Sequence, residues 1–273
     1  MGITIPKDIE QLEDLDYSTR NAIWNYLYES SIKDYSSGQY SQLSNSKTIR
    51  ELYRCTWKDF FVLAVDLFDK TVLLERIRDM VFRGSWYELY NYFEFILTIY
   101  SDNEKSQFVK EMNVIFEREL VGYRIINYKV TQLTSQSEVD EVNHGLENTS
   151  FLNGVHLHLK NALSKYGDRQ NPDYRNSIKE SISAVEALLT KLTGKRKFSD
   201  ALRELEKTIE IHSSLKEGYI KIYGYTSDGD GIRHPLKDKD TVQFEDAKYM
   251  LVSCSAFINY LIEKARKAGI ELK

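Results

Sequence analysis

The chain has 273 residues, 42% of them hydrophobic and 29% charged, and a formal net charge of −4. That length fits one large domain or two modest ones, and the apolar share is enough for a packed core. Only 3 prolines and 13 glycines argue against disorder and against a turn-rich sandwich. The slight acidity excludes a global field that draws in nucleic acid, so any RNA or DNA contact has to rest on a local patch.

The N-terminus, MGITIPKDIEQLEDLD, carries no apolar signal segment,. Gly2 is a formal myristoylation cue that the residues after it do not support,. No apolar run approaches the roughly 18 residues of a membrane span, so the expectation is a cytoplasmic protein with no membrane partner. A first helix is predicted around Ser18–Ser30, with Ile23, Tyr26 and Leu27 on one face and Trp24 beside them,. The polar stretch SSGQYSQLSNSK (36–47) reads as a loop,. From Lys47 to Tyr100 apolar residues recur at helical spacing. Trp57, Phe60, Phe61, Ala64, Val65 and Phe68 form one stripe; Trp86, Leu89, Tyr90, Phe93, Ile96 and Leu97 form another,. The 19 tyrosines and 12 phenylalanines are read as core rather than as a base-stacking surface,. In GYRIINYKVTQLT (122–134) β-branched and aromatic residues alternate with polar ones, which predicts one or two short strands,. SQSEVDEVNHGL then opens a helix at Ser137, and the chain is divided into domains 1–140 and 141–273,.

The second half is more regular. In NPDYRNSIKESISAVEALLTKLTG, Asn171 is the expected N-cap, Pro172 the first helical residue and Gly194 the terminator,. Tyr174, Ile178, Ile182, Val185, Leu189 and Leu192 make its apolar face. Ser199 is expected to cap a second helix and Ser213 or Ser214 a third, which Gly224 ends. A long last helix carries Ala247, Met250, Leu251, Cys254, Phe257, Ile258, Leu261 and Ile262. With a helix at Leu152–Tyr166 this gives a bundle of about five helices. Cys55 and Cys254 are read as buried free thiols in a reducing cytosol,.

The stretch YGYTSDGDGIRH, from Tyr223 to His234, stands out in this helical context. Its DGDG resembles a calcium loop, but counting from Asp228 the twelfth position is Lys239, where an EF-hand needs glutamate,. It ends Arg-His-Pro, so it is not a phosphate loop ending Gly-Lys-Ser/Thr,. The five histidines and two cysteines show no metal-ligand spacing, and no metal or cofactor is expected,. One chemistry fits the residues present. A histidine titrates near neutral pH and can move a proton at a hydroxyl, and an adjacent arginine can hold a phosphate; RNA cleavage by its own 2′-hydroxyl needs those two services. The alternative is that Arg233 and His234 cap neighbouring helix ends or pair with Asp228, Asp230 and Glu186.

The helix NPDYRNSIKESISAVEALL and the segment IYGYTSDGDGIRH…FEDAKYMLVSCSAFINYL resemble the C-terminal half of AbiJ-like abortive-infection proteins. LDYSTRNAIWNYL, WYELYNYFEFIL and ERELVGYRIINYKVTQLTSQSEV are similar to the N-terminal domain of one branch of that group. The resemblance implies a bacterial antiphage protein. Its expected fold is mainly α: a helical N-terminal domain with a short β element, then a helical bundle similar to HEPN domains. Many HEPN proteins are dimeric, metal-independent RNases, so the resemblance implies a homodimer through the C-terminal half, with RNA as partner and room for an operon partner protein. The apolar stripe from Ala247 to Ile262 supports that pairing, since a lone bundle has to cover it along with its neighbours' stripes,. The HEPN motif is arginine, four to six residues, then histidine. Here Ser227, Asp228 and Gly229 stand where that arginine belongs, and Arg233 lies beside His234 instead. His234 carries over directly, Arg233 substitutes for the missing arginine, and Asp228 takes the polar motif position. Glu186 is the acidic candidate on the bundle helix; Ser183, Ser227 and Asp230 are substrate-binding candidates. Two functions follow: an RNase acting on cellular RNA, or a non-catalytic HEPN-like module that senses or binds a partner protein, RNA or nucleotide.

Overall fold

The computed structural model describes residues 11–32, 45–227 and 242–272, with the backbone alone at 32 and 45–48. The described chain is mainly helical, with eleven α-helices and one two-stranded sheet, as the apolar periodicity predicts. Its packing separates two compact units, Met1–Thr134 and Ser135–Lys273. No described helix is long and apolar enough to cross a membrane.

In the first unit Asp16 starts α1 (Tyr17–Leu27): its carboxylate accepts from the Thr19 N–H at 2.8 Å,. Ile23 and Leu27 bury one face, and a π-turn continues the helix over Tyr28–Ile32. Arg20 lies on the same buried face. Its Nε donates to the Leu15 carbonyl at 2.8 Å, and its Nη1 donates to the carbonyls of Val81 at 2.7 Å and Gly84 at 2.9 Å. The helix α2 (Asn45–Cys55) runs into a second π-turn, Thr56–Phe60, and buries Leu52, Tyr53 and Trp57. Cys55 is half-buried, not buried as expected.

The helical stripe predicted from Trp57 to Phe68 does not form. Helical structure stops at Phe60, and only a 3₁₀ turn at Val65–Leu67 follows. The Trp57 indole donates to the Ala64 carbonyl at 2.7 Å, and the Leu63 N–H to the Trp57 carbonyl at 3.0 Å. These bonds fold the chain back on itself and place Val62 at φ 51. A β-branched residue there is strained by about 1–2 kcal/mol. Val62 is 81% exposed, so its side chain returns little packing. Val62→Gly is therefore expected to raise stability by about 1 kcal/mol in urea unfolding, after the extra chain entropy of glycine is deducted. A lower midpoint for Val62→Gly would show that this turn is not held in the left-handed region.

Three further helices follow among the described residues: α3 (Lys70–Arg83), α4 (Trp86–Ile99) and α5 (Asp102–Arg118). The Glu88 carboxylate accepts from the Ser85 N–H at 2.9 Å, and that of Glu104 from the Ser101 N–H at 2.8 Å, fixing the starts of α4 and α5,. Tyr90, Phe93, Phe108 and Phe116 are fully buried, with ring centroids 5.6 Å apart for Phe93–Phe108 and 5.7 Å for Tyr90–Phe116. The dense aromatics of this half are thus largely core, as read. The predicted β element is an antiparallel hairpin, β1 (Arg124–Ile126) with β2 (Lys129–Thr131). Asn127 and Tyr128 form its two-residue turn at φ 47 and 66, the sign that matches the strand twist. Side chains pin it to the helices: Asn113 of α5 accepts from the Ile125 N–H at 2.7 Å, and Glu94 of α4 accepts from the Val130 N–H at 3.0 Å.

The second unit has six described helices rather than about five: α6 (Gln136–Asn148), α7 (Asn153–Tyr166), α8 (Tyr174–Thr193), α9 (Phe198–Leu205), α10 (Ser213–Ser227) and α11 (Phe244–Lys267). Central α8 packs on α7, α9, α10 and α11. Gly194 ends α8 at φ 72, as expected. Its start differs: Asp173, not Asn171, is the N-cap, because the Asp173 carboxylate accepts from both the backbone N–H and the side-chain amide of Asn176. The last helix, α11, packs on α6, α7 and α8. Its stripe from Ala247 to Ile262 is buried within the single chain, so that stripe is not the surface a second copy would cover. Where α6 meets α11 the backbones are close: a Cβ on Gly145 would stand 3.3 Å from the Ser255 Cβ. Lys248 pairs with Glu138 at 2.9 Å and Asn259 donates to the Glu141 carboxylate at 2.8 Å along the same seam.

Candidate functional site

The site residues expected from the sequence divide between two places. Ser183 and Glu186 lie three apart on α8, half-buried on the flank of a face formed by Ser181, Ile182, Val185 and Leu189. Ser227 is the final residue of α10. Asp228, Asp230, Arg233 and His234 follow it directly in the chain and lie outside the described residues.

The sequence placed the end of the third bundle helix at Gly224, but α10 continues through that glycine to Ser227. Thr226 is fully buried, and the hydroxyls of Thr226 and Ser227 both donate to the Tyr223 carbonyl, at 2.8 and 2.9 Å. Side-chain bonds thus satisfy a carbonyl of the last turn, and burial outweighs the roughly 1 kcal/mol that a mid-helix glycine costs. The start of α9 also departs from expectation. Lys197, not Ser199, is at the N-cap, because Phe198 is drawn into the core at 2% exposure and stacks on Tyr223 of α10, centroids 4.4 Å apart and planes 11° from parallel. Packing of that ring sets the first residue of the helix, and Ser199 falls inside it.

This contact between α9 and α10 forms one wall of a groove of about 400 Å³, lined by Lys197, Ser199, Ile220, Lys221, Tyr223, Gly224 and Ser227. Among the described residues the lining contains two lysines and no carboxylate. Both lysines are exposed, and among the described residues neither is paired with an acid. Lys195 and Arg196, next in the chain to Lys197, are exposed as well. Among the described residues the lining itself is therefore cationic, the kind of local patch that the chain's overall charge leaves as a route to a polyanion, while Glu204 stands near Lys195,.

Where α10 meets α11, two titratable side chains are held in their neutral forms. Tyr219 of α10 stacks on Phe257 of α11, and burial pushes its hydroxyl up to about 12. Burial raises the Cys254 thiol to about 12 as well. Neither acts as base or nucleophile at neutral pH. Elsewhere in the unit His158 pairs with Glu180 at 2.7 Å, and His156 contacts the Leu146 carbonyl at 3.1 Å. Both histidines are tied into the α6–α8 packing. Among the described residues no group of three or more His, Cys, Asp or Glu side chains is placed to hold a metal.

Sequence reasoning selected Ser227 and missed Lys197, Ser199, Lys221 and Tyr223. The signal was the run Lys195-Arg196-Lys197 between two helices, a concentration of charge that the near-neutral total hides,. No curated protein and no solved structure matches the chain. A family profile described as AbiJ N-terminal domain 4 matches residues 1–148. That match spans more than half of the chain and includes the whole first unit with its aromatic core and hairpin. The chain belongs to the AbiJ N-terminal domain 4 family and is an AbiJ-like protein of the abortive-infection group that its sequence resembles.

Proposed function

We propose that the protein is a cytoplasmic antiphage effector whose second unit is a HEPN-like, metal-independent RNase, working as a homodimer through its C-terminal half on cellular RNA. The observation that supports this is the groove at the end of α10, whose described lining has two lysines and no carboxylate, and whose last residue, Ser227, precedes Arg233 and His234 by six and seven positions in the chain. His234 lies seven positions after Ser227, a span of at most about 25 Å at roughly 3.3–3.6 Å per residue. His234 is thus tethered within reach of a strand held in the groove. In this mechanism one imidazole takes the proton of the 2′-hydroxyl. The 2′-oxygen forms a bond to phosphorus, the bond from phosphorus to the 5′-oxygen breaks, and that oxygen receives a proton. Arg233 neutralises charge on the phosphoryl oxygens, and the products are a 2′,3′-cyclic phosphate and a 5′-hydroxyl.

The displaced arginine supports a second reading, a non-catalytic HEPN-like module that uses the same groove to sense or bind a partner protein, RNA or nucleotide. Degradation of RNA in EDTA by wild type and by His234→Ala, side by side, separates the two. Cleavage by the wild type that is lost in the variant supports the RNase; an inert wild type leaves the binding module.

A further inference from the structure

We propose that the groove between α9 and α10 seats one nucleotide of single-stranded RNA. Lys197 and Lys221 bind the phosphates on either side of it, Ser199 meets its ribose hydroxyl, and its base packs on Tyr223. This rests on the RNA reading above and names the part of the site that holds the strand, as distinct from the residues that cut it.

The volume of about 400 Å³ lies at the lower end of small-ligand pockets, about 300–1,000 Å³, the scale of one nucleotide. The two lysines are exposed ammonium groups with no acidic partner among the described residues, so a phosphate meets them without displacing an ion pair. Tyr223 lines the groove with its ring held against buried Phe198. An immobilised ring loses little entropy when a base stacks on it, and bases of any identity can do so. A hydroxyl at Ser199 can bond the 2′-hydroxyl, the one group that distinguishes RNA from DNA along the backbone. Exposed Arg196, next to Lys197 in the chain, adds positive charge for the flanking strand.

The test uses the full chain carrying His234→Ala, in EDTA, so that binding is read without cleavage. A fluorescein-labelled 12-mer RNA and the DNA of the same sequence are titrated by anisotropy at several KCl concentrations. RNA is expected to bind more tightly than DNA. Lys197→Gln with Lys221→Gln should weaken RNA binding at least tenfold at low salt and reduce the slope of log K against log salt by about 1.4, since each phosphate contact on a single strand contributes about 0.7. Tyr223→Leu, which keeps bulk against Phe198, should weaken binding by about tenfold. Thermal melts matching the parent confirm that each variant is folded. A double-lysine variant with unchanged affinity and salt slope overturns the groove assignment, and so does a parent protein that binds no RNA. A wild type that binds RNA through these lysines but never cleaves it overturns the RNase and leaves the groove standing.

Discussion

His234→Ala is expected to lower RNA cleavage by about 10²–10⁴-fold, the range for loss of a general acid or base. The imidazole is the only group in YGYTSDGDGIRH that both gives and takes a proton near neutral pH,. The companion variant Arg233→Lys should also be costly, because lysine keeps the charge but loses the forked contact with two phosphate oxygens. Asp228→Asn should cost less than either, since its expected role is to orient the imidazole rather than to touch the phosphate. The assay is degradation of total RNA in EDTA, with survival of bacteria expressing each variant as a second readout. Toxicity that persists in His234→Ala, or cleavage that depends on magnesium, would remove the nuclease from this segment and leave the binding module in its place.

The largest effect on stability is expected at Arg20. Its guanidinium is buried, with the whole residue only 8% exposed, and it donates to the carbonyls of Leu15, Val81 and Gly84. Two of those carbonyls belong to the end of α3, where the helix has run out of its own donors,. Arg20→Ala leaves three acceptors without the donor that satisfies them, at about 1–3 kcal/mol for each buried group, and a total of about 3–5 kcal/mol is expected. Arg20→Lys should recover little, because an ammonium cannot span three divergent acceptors as the fork does. Asp14 stands 3.6 Å from the same guanidinium but is 90% exposed, so Asp14→Asn should change stability by well under 1 kcal/mol,. Urea unfolding followed by tryptophan fluorescence measures this selectively, since Trp24, Trp57 and Trp86 are the chain's three tryptophans and all lie in the first unit. A loss below about 1 kcal/mol for Arg20→Ala would mean that water replaces the guanidinium, and that the clamp is not structural.

What the sequence disclosed and what it hid follow a physical line. Elements governed by local chemistry were legible: Gly194 ends α8 in the left-handed conformation, and alternation in GYRIINYKV produces the hairpin. Where a long-range contact decided the outcome, local rules failed. Gly224 reads as a terminator, but buried Thr226 carries α10 past it. Ser199 reads as a cap, but the Phe198–Tyr223 stack moves the start of α9. The stripe from Trp57 to Phe68 reads as a helix, but the indole bond to Ala64 turns the chain instead. The groove is the extreme case. Lys197 and Lys221 are 24 positions apart on separate helices, and no spacing rule joins them before those helices pack.

The seam at Gly145 and Ser255 bears on how the chain can be dissected. The family match runs to residue 148, but packing divides the chain after Thr134, so α6 belongs to the matched sequence and folds with the other half. A fragment ending at 148 would carry Val139, Val142 and Leu146 as an orphan apolar face. Its complement, starting at 149, would expose the side of α11 that α6 covers. Both halves would be sticky for a reason unrelated to their activity. Cutting between Thr134 and Ser135 keeps α6 with the helix it was shaped to meet, and makes the toxicity of each half interpretable.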